Sequence, residues 1–382
     1  MYWKTARTPQ LRTLPIDETT RDAARLVFDV AQTKLRNLAT NHPDYLPIFT
    51  DGGHWVHDKE KWTNWGEGFT PGQMWLVYEQ TKSPEWKELA SHYTELVRGR
   101  ELDVETHDHG FLIATSFKQQ WELTGDEDAK QVAITAGRTL GGRFLESCQM
   151  IPSFIAPEST FIDVMRNIGL VFWAALETGD EDLLRRARAH SRTTRRHLVR
   201  GDGSAGHEGQ WNVETGEFLR MTTHQGWRED SSWNRGLAWS LAGFTECYAL
   251  DGQPDFLATA RLNAEYWMTH TSNDDPVPPN DFLEPDPVRR WESSGAVAAA
   301  QGLFHLARYV DDQDEAKAYH ERALATFRRL AEPEFLALEP EWEGILKHGS
   351  YHERKNLGVD ESVEWGEYFF VEFARDLLAD WR

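Results

Sequence analysis

SSGAVAAAQGLFHLARYVDDQDEAKAYHERALATFRRL, residues 293–330, decides the fold. Its first part, SSGAVAAAQGLFHLA from Ser293, is small and apolar with almost no charge, whereas DEAKAYHERALATFRRL from Asp314 is amphipathic and heavily charged. Between them, VDDQDE (310–315) ends one helix and caps the next with Asp. A helix that is apolar all round must be buried on every side, and an amphipathic one can cover it from outside. The same alternation recurs in GLVFWAALE from Gly169, followed by EDLLRRARAHSRTTRRHL from Glu181, and in RGLAWSLAGF from Arg235. The turns TKSPEW (81–86), TGDEDA (124–129), TGDEDL (178–183) and LDGQPD (250–255) work as VDDQDE does. Apolar-then-charged pairs fall near 71–98, 110–145, 160–198, 232–270 and 293–331, and a sixth forms if the last helix (about 361–378) joins the first (about 17–38). This is an internal repeat of structure with weak sequence identity. Six pairs predict an all-α fold, a closed double ring or (α/α)6 barrel; an open solenoid would want distinct caps at its ends. No linker or low-complexity tract divides the chain, so one domain over 1–382 is expected.

Composition narrows the partners. In 382 residues, 40% are hydrophobic and 17 are tryptophan, more than packing usually demands. A formal charge of −21 argues against a nucleic acid or an anionic membrane as the main partner. An anionic substrate would then need a local positive site, for which Arg235 is a candidate. Cys148 and Cys247 are the only cysteines, so no structural disulfide is expected and a reducing compartment is the simpler reading. The N-terminus lacks a signal-type apolar core and no run is long enough to span a bilayer, which makes cytoplasmic the expected location. Monomer and homo-oligomer both remain open.

If the barrel closes, the connections 53–70, 101–110, 146–162, 200–231, 271–292 and 340–360 all lie at one end, where a site is expected. The segment THQGWREDSSWNRGLAW (223–239) gathers His224, Gln225, Trp227, Trp233, Arg235 and Trp239. Arg235 and Trp239 are four apart and share a helix face. A guanidinium fork pairs with a carboxylate, and aromatic faces pack on a sugar ring. The alternative is a tryptophan-rich core around one satisfied arginine. Trp65 and Phe69, in WGEGFTPGQMW (65–75), could wall a sugar site or form a lid. Two aspartates enter inner helices from the same end: Asp108 in THDHGF (106–111) and Asp163 in STFIDVMRN (159–167). Apolar surroundings should raise the pKa of Asp163 and suit it to proton transfer, while Asp108, between His107 and His109, should stay ionised and hydrogen-bonded. Two carboxylates in contrasting environments fit acid/base work on sugars, though either could be a helix N-cap. His107, Asp108 and His109 could instead hold a metal, but adjacent residues point apart and no HExxH or cysteine pair accompanies them. No metal is expected. GxSxG, P-loop and GxGxxG motifs are missing, so acyl, phosphoryl and dinucleotide chemistry lack support.

HDHGF (107–111), FIDVMRN (161–167), THQGW with DSSWNRGLAW (223–227 and 230–239) and NLGVDESVEWGEYFF (356–370) together resemble the unsaturated glucuronyl hydrolases, glycoside hydrolase family 88. The likeness runs in order from about Trp65 to Phe370 and includes the six-pair barrel. It implies an enzyme that acts on oligosaccharides ending in a 4,5-unsaturated uronic acid, without metal or cofactor. It implies Asp163 as general acid/base, Asp108 as second essential carboxylate, and His207 in GSAGHEG, Gln225, Arg235, Trp239 and Trp65 as substrate-binding. Trp233 and His107 match less closely. The stretch YHERKNLGVD (351–360) departs from members that act on sulfated glycosaminoglycans, and MIPSFIAPEST (150–160) lacks a tryptophan, which leaves substrate preference open. On residues alone two other classes stay open: an epimerase using His207 with His352 or His348, and a non-catalytic carbohydrate-binding protein.

Overall fold

The structure, a computed structural model, describes residues 1–57, 64–286 and 290–379. Parts of the connections 53–70 and 271–292, and the last three residues of the 1–382 span, lie outside the described residues. Chain order runs α1 (Glu18–Asn41), α2 (Phe69–Thr81), α3 (Pro84–Glu95), a π-helical stretch (Gly110–Lys118) continued by α4 (Gln119–Thr124), and α5 (Glu127–Gly142). It continues with α6 (Val164–Asn167), α7 (Gly169–Thr178), α8 (Glu181–Leu198), α9 (Asn234–Asp251) and α10 (Pro254–His270). The last three are α11 (Ser293–Leu306), α12 (Gln313–Leu330) and α13 (Glu364–Leu378).

Each predicted pair is present. Every residue of α11 is buried, whereas α12 buries only one stripe, as their sequences require. Asp126, Asp180 and Asp312 each cap the following outer helix through a side-chain oxygen. In the TGD turns, Gly125 and Gly179 close the preceding helix at φ 74° and 68°, a left-handed conformation that glycine adopts without a Cβ clash. The inner helices touch in sequence: α2 on the π-helical stretch, that stretch on α6 and α7, these on α9, α9 on α11, α11 on α13, and α13 back on α2. Contact of α1 with α13 completes the sixth pair. The double ring is therefore closed, as the alternation of apolar and charged helices predicts.

Among the described residues, three small antiparallel sheets, absent from the all-α expectation, decorate the connections: β1 (Thr50–Asp51) with β2 (His54–Trp55), β3 (Ser159–Phe161) with β4 (Glu208–Asn212) and β5 (Glu217–Thr222), and β6 (Gly349–His352) with β7 (Leu357–Glu361). None is long enough to carry a core of its own. Their place is at the mouth of the barrel, where they set the positions of the residues described next. No helix of the described residues is long and apolar enough to cross a membrane.

Candidate active site

One end of the ring opens into a cavity of about 130 Å³. A buried water needs roughly 10–15 Å³ on this measure, so the space holds on the order of ten waters, about one sugar ring. Its lining comes from five of the six predicted connections and the helix starts that follow them: Trp65, His107 and Asp108, Phe154 to Asp163, His224 to Arg235, and Tyr351 to Lys355. The sixth connection supports from behind. Asn280 accepts from Trp233 Nε1 at 3.1 Å and donates to the Gln225 carbonyl at 3.2 Å, while Asp281 accepts from Trp227 N and Ser231 Oγ.

Asp163 stands immediately before α6 yet makes no side-chain capping bond. Its side chain is 16% exposed, and Oδ2 has no hydrogen-bond partner. The nearest polar atom recorded against it is His207 Nε2, 3.8 Å away and likewise without a partner. His207 Nδ1 accepts the backbone N–H groups of His224 (3.1 Å) and Gln225 (3.3 Å), which places the ring proton on Nε2, the nitrogen that faces Asp163. Asp108 is buried and held differently. It accepts from Thr106 Oγ1 at 3.1 Å and Asn167 Nδ2 at 3.3 Å, with His107 Nε2 at 3.4 Å. His107 Nδ1 accepts the Phe154 N–H at 3.1 Å, so this ring too presents Nε2–H to its carboxylate. Asn167 ties the two aspartates together: it also donates to the Asp163 carbonyl at 3.1 Å, and its Oδ1 accepts the Phe111 N–H at 3.0 Å.

Arg235 lies between the rings of Trp233 (4.4 Å) and Trp365 (4.9 Å). Its Nη1 donates to the Ser350 carbonyl (2.6 Å) and Ser294 Oγ (3.4 Å), and its Nη2 to the Tyr351 carbonyl (3.0 Å) and Gln225 Oε1 (2.7 Å). Both arms of the fork are thus directed at protein acceptors. What Arg235 offers the cavity is chiefly charge.

Matching these features to known proteins gives a consistent result. No model of a protein family matches the chain. The unsaturated glucuronyl hydrolase of Bacillus sp. (strain GL1) is 33% identical over 341 residues, 86% of this chain and 90% of that protein. The chain belongs to the unsaturated glucuronyl hydrolase family. The unsaturated chondroitin disaccharide hydrolase of Streptococcus pyogenes serotype M1 is 28% identical over 347 residues, 88% of this chain and 86% of its own length. A solved unsaturated glucuronyl hydrolase variant with dGlcA-Glc-Rha-Glc superimposes with a TM-score of 0.87 at 30% identity, covering 93% of this chain and 96% of that one.

In this chain, electrostatics depart from the contrast expected of the two aspartates. Burial pushes Asp163 up to about 6, against the pull of Arg235 and His224. Burial pushes Asp108 further, to about 7, with the charge of Asp163 acting in the same direction and the bonds from Thr106 and Asn167 opposing. The expectation that Asp108 stays ionised among histidines is corrected here. Burial drives His107 well below its usual range and His109 to about 4, so neither supplies the cation that would hold Asp108 ionised.

Other expected residues divide by depth. Trp65, His107, Asp108, Asp163, His224, Gln225 and Arg235 line the cavity. His207 and Trp233 stand one layer behind, their rings 4.7 Å apart. Phe69 and Trp239 do not reach it. Phe69 packs on Phe111, Tyr368 and Phe369, and Trp239 on Phe111 and Phe369, so both belong to the core beneath the floor. Trp239 shares a helix face with Arg235 as predicted, but four residues along α9 is about 6 Å deeper into the barrel. Sequence reasoning missed Asn167 and Glu208. Asn167 follows Asp163 by four residues and could have been found on that spacing; Glu208 gave no signal beyond adjacency to His207. Phe154, Ile155 and Tyr351 were also missed as lining residues. Among the described residues no group of three or more His, Cys, Asp or Glu is placed to hold a metal ion.

Proposed function

We propose that Asp163 is the acid that starts the reaction and Asp108 the carboxylate that holds the ring, in a hydrolase that removes a terminal 4,5-unsaturated uronic acid by hydrating its C4=C5 bond. Asp163 delivers its proton to C4 of the enol ether, and positive charge develops on C5 and the ring oxygen. Water adds to C5 and returns a proton to the Asp163 carboxylate. The product is a hemiketal, which opens to the C5 ketone; the resulting hemiacetal at C1 then expels the remaining sugar as an alcohol. One water is consumed and no redox change occurs.

The observation that carries this reading is the Asp163 carboxyl: the residue lines the cavity, its Oδ2 is buried without a hydrogen-bond partner, and burial raises the group to about 6. A structural aspartate would bond its helix or a cation; an acid needs its proton kept and aimed at empty space. Neutral His207, its Nε2–H 3.8 Å from Asp163 Oδ2, turns the positive end of an N–H dipole toward the carboxylate once the proton has left. Asp108, fixed by Thr106, Asn167 and His107, is suited to receive sugar hydroxyls. Arg235 supplies positive potential for the uronate, and Trp65, Phe154 and Phe161 its apolar walls.

Ultraviolet absorbance of lyase-generated unsaturated disaccharides, sulfated and unsulfated, provides the test. Wild type should bleach the conjugated uronate, and Asp163→Asn should slow bleaching by about 10²–10⁴-fold, the usual contribution of a positioned acid. Bleaching by Asp163→Asn at the wild-type rate would remove Asp163 from the role, and no bleaching of any member by wild type would remove the reaction.

A further inference from the structure

Behind the cavity wall, three donors converge on one carboxylate. Glu208, the first residue of β4, is 2% exposed and accepts from Ser159 Oγ of β3 at 2.5 Å, from Thr222 Oγ1 of β5, and from His224 Nε2 at 3.0 Å. All three strands of the sheet, and the loop that follows them, are thereby pinned to one residue. Burial works against the charge, yet the bonds from His224, Ser159 and Thr222 hold the group down at about 2. An ionised carboxylate only accepts, so His224 Nε2 carries a proton and points into the sheet. The His224 side chain is 44% exposed and lines the cavity. Beside it, the Arg235 fork is directed at protein acceptors, among them Gln225 Oε1.

We propose that Glu208 is a positioning residue that locks the Nε2–H of His224 toward the sheet and so turns its Nδ1 edge to the sugar in the cavity. The proposal rests on the reaction assigned above. Glu208 touches no substrate itself and acts through His224. The same carboxylate fixes β3, which leads into Asp163, against β4, which follows His207, so one group sets the spacing between the acid and both imidazoles.

A double-mutant cycle of Glu208→Gln and His224→Ala on an unsaturated disaccharide tests it. Glu208→Gln should raise KM about tenfold with kcat within about threefold, the pattern of lost ground-state binding. Adding it to His224→Ala should change nothing further. Unchanged KM in Glu208→Gln, or an effect that persists undiminished on the His224→Ala background, overturns the proposal. A second readout needs no turnover: nitrogen-15 NMR of the wild-type histidines should show His224 Nε2 protonated, and Glu208→Gln, whose amide can donate, should move that proton to Nδ1. Wild type with an unprotonated Nε2 overturns the proposal even if the variants fail to fold. Should wild type bleach no unsaturated disaccharide, the reaction fails while the NMR result still decides the role of Glu208.

Discussion

Asp108 and Asp163 show how burial can prepare a site. Both are displaced upward, to about 7 and about 6. If Asp163 must carry its proton to reach C4, kcat/KM should fall about tenfold per pH unit above an apparent pKa near 6, measured by the same bleaching assay. Asp108 makes a matching prediction about stability. Its folded value lies above the ordinary aspartate value, so the folded state binds the proton more tightly than the unfolded chain. Below about pH 4 both states are protonated and the residue costs nothing; above about 7 the folded state bears the full cost of a buried charge. Asp108→Asn should therefore raise the melting temperature at pH 7.5, by on the order of 2 kcal/mol in stability, and lose that gain by pH 4 while abolishing activity. Calorimetry across that pH range checks the sign. At this scale the sequence was legible where chemistry is carried by residue type and place, as for Asp163. It was illegible where depth decides, as for Trp239, since a helical wheel gives direction and not how far down the barrel a residue lies. Asp108 was misjudged for a related reason: two histidines beside it in sequence say nothing of whether they are charged.

Among the elements, the inner and outer helices could be read from their periodicity and capping turns, because those signals are local. The three sheets could not. β4 and β5 are a short hairpin inside the connection 200–231, and their pairing with β3 spans about fifty residues that no local pattern joins. The π-helical stretch after Asp108 was equally hidden; such turns are rare and cluster at functional sites. Gly110 begins it. A Cβ there would stand 2.7 Å from Asn167 Cα and 2.8 Å from Asn167 Oδ1. Gly110→Ala should accordingly destabilise by about 1–3 kcal/mol, as overpacking does, and lower kcat by displacing Asn167 from Asp108. Denaturant unfolding and bleaching kinetics on one preparation would separate the two effects, and a variant as stable and active as wild type would show that Asn167 yields freely.

For the whole molecule, six helix pairs close through α1 and α13, so every inner helix has a neighbour on each side. We propose that the chain is one cooperative unit. Differential scanning calorimetry should give a single transition with equal calorimetric and van't Hoff enthalpies, and two resolved transitions would contradict it. The alternation of helices was enough to foresee the ring, but the mouth is assembled from distant connections whose meeting only the closed ring dictates. Asn167 sits where that assembly is tightest. Its single amide reaches the carboxylate of Asp108, the carbonyl of Asp163 and the first turn after Gly110. Mutation and selection thus meet the two aspartates as one inherited block: shifting either helix to favour a new sugar drags the other carboxylate with it, so divergence among such enzymes should be easiest in the walls at Phe154 and Ile155, whose side chains Asn167 does not bond.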